Sequence, residues 1–223
     1  MTTLLLRLSG PMQSWGTQSR FDVRHTDFEP SKSGVVGLLC AALGRPRHAP
    51  VDDLAALEMG VRVDRQGTLQ YDYHTAGKDG YYKVSGKVER NDLIVSRRYY
   101  LAGAVFLVGL AGDSILLERL FDAVHNPVWM LYLGRKAFVP GEPVWLPDGL
   151  RHGESLMQAL STYQPLVPIG RSSETVSEQF RVVRDDPDGE VMRYDYPVSF
   201  ARREFLPRRI SVEFVSVPLD KEA

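Results

Sequence analysis

Residues 104–136 read AVFLVGLAGDSILLERLFDAVHNPVWMLYLGRK, and three successive textures in that run set the fold. Ala104 to Leu110 is an apolar stretch relieved only by Gly109, the pattern of a buried strand. Asp113 or Ser114 can cap a helix to about His125, with Leu116, Leu120, Ala123 and Val124 on one face. A short strand near 128–133 then ends at Gly134-Arg135-Lys136. Strand, helix, strand is one half of a split βαβ unit.

The other half lies upstream. Residues 3–9 form a first, leucine-rich strand, followed by a long loop punctuated by Gly10, Pro11, Gly16 and Pro30. Ser33 can cap a helix through about Leu43, which Gly44 and Pro46 stop. That helix is apolar on nearly every side, so it must be sandwiched in the core. A short second helix, Val51 to Glu58, leads into a strand at 60–65. Residues 66–100 carry tyrosine and histidine rings, mixed charge and no core period, and read as an inserted β-hairpin arm. The order predicts an α+β fold, a ferredoxin-like βαββαβ domain over 1–136 with its insertion at about 66–100. Beyond Lys136, Pro140, Pro143, Pro147 and Gly149 break the pattern, and β-like runs alternate with turns such as Asp186-Pro187-Asp188-Gly189. Ile210 to Val217 alternates as a core strand, so 137–223 read as a smaller, mainly β domain.

The 223 residues carry a formal net charge of −1, with 43% hydrophobic and 25% charged residues. Those proportions exclude wholesale disorder. The charge balance excludes a chain that grips nucleic acid unaided through bulk electrostatics. The single cysteine, Cys40, excludes an internal disulfide framework and fits a reducing, cytoplasmic compartment. The longest apolar stretch, Leu101 to Ala111, is about half the ~20 residues of a membrane helix, so no membrane role is expected.

Metal or cofactor chemistry has little to stand on. His25, His48, His74, His125 and His152 are isolated, and there is no phosphate-binding glycine loop ending in Lys-Ser or Lys-Thr. Asp185, Asp186, Asp188 and Glu190 have the spacing of a solvated turn. No cofactor is expected.

RNA contacts have local candidates. Lys32, Ser33 and Gly34 stand at a helix start, where free amides and the helix dipole favour a phosphate; a plain cap is the alternative. Arg97-Arg98-Tyr99-Tyr100 sets arginine beside aromatic rings, suited to an unstacked base or to a charged sheet edge. Tyr132-Leu133-Gly134-Arg135-Lys136 ends a strand with a glycine and two cations that can pair phosphates. The arm presents Tyr71, Tyr73, His74, Tyr81, Tyr82, Lys83 and Lys87, a surface for RNA or protein. Arg202, Arg203, Arg208 and Arg209 form a further basic cluster, either an RNA contact or a charged edge that resists aggregation.

Taken together, these motifs resemble a known family. Ser9-Gly10-Pro11-Met12-Gln13-Ser14-Trp15-Gly16, Pro30 to Leu39, Asp72-Tyr73-His74-Thr75, Arg98 with Tyr100-Leu101, Ala104 with Phe106, and Tyr132 to Lys136 follow in order the pattern of the CasD subunits of the type I-E CRISPR surveillance complex, Cascade. Ser173-Glu174-Thr175-Val176 and Phe200 to Glu204 are similar in kind. The resemblance implies the RAMP superfamily, with an RRM-related ferredoxin-like domain bearing a thumb. It implies a non-catalytic, RNA-binding, antiviral subunit that holds the 5′ handle of the CRISPR RNA, caps the filament of CasC backbone subunits and lies beside the large subunit CasA. Target DNA would be met only through the assembled complex. Carried over by position, Arg98 and Tyr132 are the first handle contacts, then Lys32, Ser33, Arg135 and Lys136, with Gln13 and Trp15 after them. The thumb, with Tyr73, His74, Tyr81, Tyr82 and Lys83, should reach the adjacent backbone subunit. The alternative is an enzyme, a metal-independent CRISPR-repeat endoribonuclease of the type I-C kind, for which His74, Tyr73 and Lys78 are the available side chains. In the type I-E arrangement that step belongs to a separate subunit, CasE.

Overall fold

A computed structural model describes residues 1–18, 22–83, 85–90, 92–168 and 177–218, so the Ser173–Val176 motif lies outside the described residues. In chain order the elements are β1 (Thr2–Ser9), β2 (Met12–Gln13), β3 (Val23–Arg24), α1 (Lys32–Leu43), α2 (Asp52–Ala55), β4 (Glu58–Arg65), β5 (Thr68–Ala76), β6 (Tyr81–Tyr82), β7 (Val88–Glu89), β8 (Ile94–Ala102) and β9 (Val105–Gly112). There follow α3 (Ser114–His125), β10 (Trp145–His152), α4 (Leu156–Thr162), β11 (Ser177–Asp185), β12 (Val191–Ser199) and β13 (Glu204–Pro218). The fold is α+β, with a ferredoxin-like unit, a hairpin thumb and a mainly β C-terminal portion.

One antiparallel sheet runs in the order β10-β1-β9-β4-β11-β13-β12. Its first four strands are the fourth, first, third and second of the ferredoxin-like order. The C-terminal strands continue the same sheet outward from β4 through the β4–β11 ladder, for example Val183↔Val61.

Strand alternation divides the core between the two faces. Leu4, Leu6 and Leu8 of β1, with Phe106 and Val108 of β9, are buried beneath α1 and α3. Leu5, Leu107 and Val182 face the other way, against Leu156 and Leu160 of α4. Gly60 and Gly109 are register partners under α4. A Cβ at Gly60 would lie 2.7 Å from Leu160 Cδ1, and one at Gly109 would lie 2.6 Å from Leu156 Cδ1. Two strand glycines therefore make the seat in which a two-turn helix sits. The fully buried Arg62 closes that layer: it pairs with Asp64 at 2.7 Å and donates to the carbonyls of Leu160, Tyr163 and Gln164. The end of α4 is thus capped by a side chain from the sheet below it.

Three expectations need correction. The cap of α1 is Ser31, whose Oγ accepts from the Gly34 amide at 3.3 Å, and Ser33 lies inside the first turn. The second helix is a single turn, Asp52–Ala55, and β4 begins at Glu58. There is no strand at 128–133; β10 takes that place in the sheet. The reason is where the backbone donors go: Val128 N and Trp129 N donate to Ala42 O and Ala41 O and so satisfy the C-terminal carbonyls of α1. The chain then crosses the proline-rich stretch before it pairs with β1, so the strand that closes the ferredoxin-like unit lies beyond residue 136.

The thumb is the β5–β8 hairpin, with the small β6–β7 pair towards its tip. Its other edge is covered at the base by the loop after β1: β2 pairs antiparallel and β3 parallel with β8.

Candidate nucleic-acid interface

The start of α1 is closed to a ligand. The Lys32 amide donates to Asp195 Oδ2 at 2.8 Å, and Lys32 Nζ donates to Asp185 Oδ2 at 2.7 Å. Arg208 bridges the same two carboxylates, and Lys32 and Asp195 are buried. A carboxylate already occupies the place proposed for a phosphate, and the lysine charge is neutralised inside the fold. Lys32 is therefore a structural cation, and Arg208 belongs with it rather than to an exposed RNA contact. A second buried carboxylate, Glu29, receives Arg181 and Arg193 alongside. Asp186, Asp188 and Glu190 do form the expected turn after β11, while Asp185 serves Lys32 and Arg208.

Gln13 and Trp15 also face inward. Gln13 donates to the carbonyls of Leu8 and Ala104 and accepts from Trp15 Nε1 at 3.1 Å. The Trp15 ring lies where a Cβ on Gly34 would approach to 2.8 Å. Together they hold the loop after β1 against α1, and neither offers a side chain to a ligand.

The remaining candidates converge around the base of the thumb. Arg98 and Arg24 are register partners across β8 and β3, so their side chains share a face, with Asp72 of β5 beyond Arg98. Arg135 reaches the same place from the segment after α3, donating to Tyr99 O at 2.8 Å and Arg24 O at 3.4 Å. Burial first, and then the positive charge of Arg98, hold the Arg135 guanidinium below its ordinary pKa; Asp72 pulls the other way and Arg24 adds to the depression. Three guanidinium groups thus repel one another around a partly exposed spot, an arrangement that an anion relieves.

Arg135 stands where it does because of Gly134. That residue has φ +89°, and a Cβ on it would fall 1.7 Å from Ser14 O, so only glycine lets this turn lie against the β2 loop. Just before it, Tyr132 and Gly134 line a cleft of about 380 Å³, whose walls include Ser33, Gly37, Trp129 and Phe200. Ser33 and Tyr132 therefore share one cleft, Arg135 follows directly on its Gly134, and the next residue, Lys136, is exposed. The cleft is within the size range of small-ligand sites and carries aromatic walls beside cations.

Sequence reasoning missed Arg24 and Trp129. Arg24 sits in a loop without periodicity, and only its pairing with β8 brings it to Arg98. Trp129 lies in a stretch that reads as a strand, where it would have belonged to the core; instead it is 47% exposed.

The thumb residues divide. Tyr73 and His74 are consecutive in β5 and point to opposite faces; His74 Nε2 lies 3.6 Å from Asp72, and Arg97 lies over the Tyr73 ring. At the tip, Tyr81 and Tyr82 pair with Glu89 and Val88, and Lys83 is bonded to Glu89 at 2.5 Å. Tyr82 is 80% exposed. Among the described residues no group of three or more His, Cys, Asp or Glu is placed to hold a metal ion, and no helix is long and apolar enough to cross a membrane.

Residues 3–213 match the family described as CRISPR-associated protein (Cas_Cas5). The chain is 30% identical over 220 residues to the CRISPR system Cascade subunit CasD of Escherichia coli (strain K12), covering 91% of this chain and 93% of that one. A solved structure described as a Cas protein is 44% identical with a TM-score of 0.77, covering 98% of each chain. A chain from a CRISPR RNA-guided surveillance complex is 33% identical with a TM-score of 0.82, covering 97% of this chain and 91% of its own. Matched along nearly its whole length, the chain belongs to the CRISPR-associated Cas5 family and is a relative of the Cascade subunit CasD.

Proposed function

We propose that this chain is a non-catalytic, RNA-binding subunit of a Cascade-type complex, holding the 5′ handle of the CRISPR RNA at the base of its thumb and capping the CasC filament beside CasA. The observation that carries this reading is the convergence of Arg24, Arg98 and Arg135 from three separate segments onto one spot beside the Tyr132 cleft. Phosphates would be met by the guanidinium groups, and an unstacked base by the Tyr132 side of the cleft, with Ser33 and Lys136 as neighbouring contacts. The tip of the thumb, with Tyr81, Tyr82 and Lys83, would meet the adjacent backbone subunit. Target DNA would be contacted only in the assembled complex, in the cytoplasm.

The enzyme reading is disfavoured by placement. Tyr73 and His74 lie on opposite faces of β5, and Lys78 follows in the turn beyond, so the three do not share a reacting point.

The test is co-expression with the other subunits and a guide, followed by a salt titration of RNA retention. Arg98→Gln should lower the slope of log retention against log salt by about 0.7 for each single-strand phosphate that the substitution leaves unpaired. Unchanged retention and slope for Arg98→Gln and Arg24→Gln would overturn the reading. Specific cleavage of repeat RNA in chelator, abolished by His74→Ala, would establish the enzyme instead.

A further inference from the structure

The face of the thumb opposite the guanidinium cluster is built differently. Tyr71 pairs with Tyr99 and Tyr73 with Arg97 across the β5–β8 ladder, so these four side chains share one face. Their rings form a connected row: Tyr73 meets Tyr71 edge-on at 5.4 Å and 84°, Tyr71 is tilted 43° to Tyr99 at 5.6 Å, and Tyr99 lies nearly parallel to His25 at 5.6 Å and 14°. Arg97 lies 5.8 Å over the Tyr73 ring at one end. Every residue of β5 is exposed, with Tyr71 at 51% and Tyr73 at 56%, so this row belongs to no core.

We propose that His25, Tyr99, Tyr71 and Tyr73, with Arg97 at the end of the row, are a stacking platform for unpaired nucleobases. The proposal rests on the reading of this chain as a nucleic-acid-binding subunit and adds to it a second contact of different character. Four arguments favour bases over a protein partner. The row consists of flat rings, and such faces accept any base. The charge set at its end is a cation, which attracts the phosphates that accompany bases. Asp72, the nearest strand carboxylate, points to the other face. The two faces of one hairpin, guanidinium groups on one and rings on the other, match the two chemistries of a single strand. The hydrogen bond with Tyr73 also raises the Tyr71 ionisation above its ordinary value.

Unpaired bases could come from the guide RNA or from a strand of target DNA, and photocrosslinking separates the two. Assembled complexes would carry 5-iodouridine at successive guide positions in one arm, and 5-iododeoxyuridine in either strand of bound target DNA in the other. After long-wavelength irradiation, adducts would be mapped by mass spectrometry. Adducts on Tyr71, Tyr73 or Tyr99 are expected, reduced about tenfold by Tyr71→Leu with Tyr73→Leu and retained by the corresponding Phe variants. The arm that gives them names the strand. Absence of adducts from both arms, an undiminished yield in the Leu variant, or cross-linking of these tyrosines to a protein subunit instead would overturn the platform. Arg98→Gln, on the opposite face, keeps the outcomes distinguishable. If it weakens guide retention while no ring adduct forms, the handle reading survives and the platform does not. If ring adducts form while retention is unmoved, the handle site falls and the platform stands.

Discussion

Arg62 shows what a single buried charge does in this protein. Its guanidinium has no solvent exposure and is held by Asp64 and three carbonyls at the end of α4. Replacing it by Met leaves Asp64 buried with an unbalanced charge, and such losses cost about 3–5 kcal/mol. Urea unfolding should show that loss for Arg62→Met, with much of it recovered when Asp64→Leu is added. Asp27 supplies a pH effect of opposite origin. Burial raises its pKa above the ordinary carboxylate value, against the Thr17 hydrogen bond and Arg193, with Glu29 and Asp195 adding to the rise. The folded state therefore holds this proton more tightly than the unfolded chain, and stability falls as pH rises from about 3.9 through the folded pKa. Asp27→Asn should raise the urea midpoint at pH 7, and that advantage should vanish below about pH 4. Lys32 marks the limit of the sequence at this scale: its place at a helix start is legible, but the partners that neutralise it lie some 150 positions away at Asp185 and Asp195.

Elements were more legible than their edges. α1, α3, β1, β9 and the thumb follow from apolar runs and punctuation, because local pattern and tertiary burial agree there. The segment 128–133 has the composition of a strand but supplies amides to Ala41 and Ala42 of α1, a competition that depends on a helix far upstream in the chain. The site shares this division: Arg98, Tyr132 and Arg135 could be read from local motifs, whereas Arg24 needed the β3–β8 register. Helix α4 rests on Gly60 and Gly109, so its seat can be tested directly. Gly60→Ala should destabilise by about 1–3 kcal/mol, because its Cβ meets Leu160 at 2.7 Å. Leu160→Ala alone should cost about 2–5 kcal/mol, and the double variant less than the sum, since each change makes room for the other.

The whole molecule is organised by one sheet. A chain ending at residue 136 would lack β10, α4 and β11, leaving β1 and β4 with unpaired edges and the apolar face of Leu5 and Leu107 uncovered. It should show no cooperative thermal transition, whereas the full chain should unfold in one. The net charge of −1 takes on a narrower meaning at this scale. Much of the positive charge faces carboxylates inside the fold, as at Lys32, Arg62, Arg181 and Arg208, and a few guanidinium groups at the thumb base remain for an anion. The pairing of Lys32 with Asp185 and Asp195 also sets a schedule. Synthesis runs from the N-terminus, so α1 leaves the ribosome long before the carboxylates that cover its first turn and the Arg208 that joins them. Until then its first turn and the buried Glu29 are without counter-charges, so α1, though already capped by Ser31, gains the partners of its first turn only from strands made some 150 residues later.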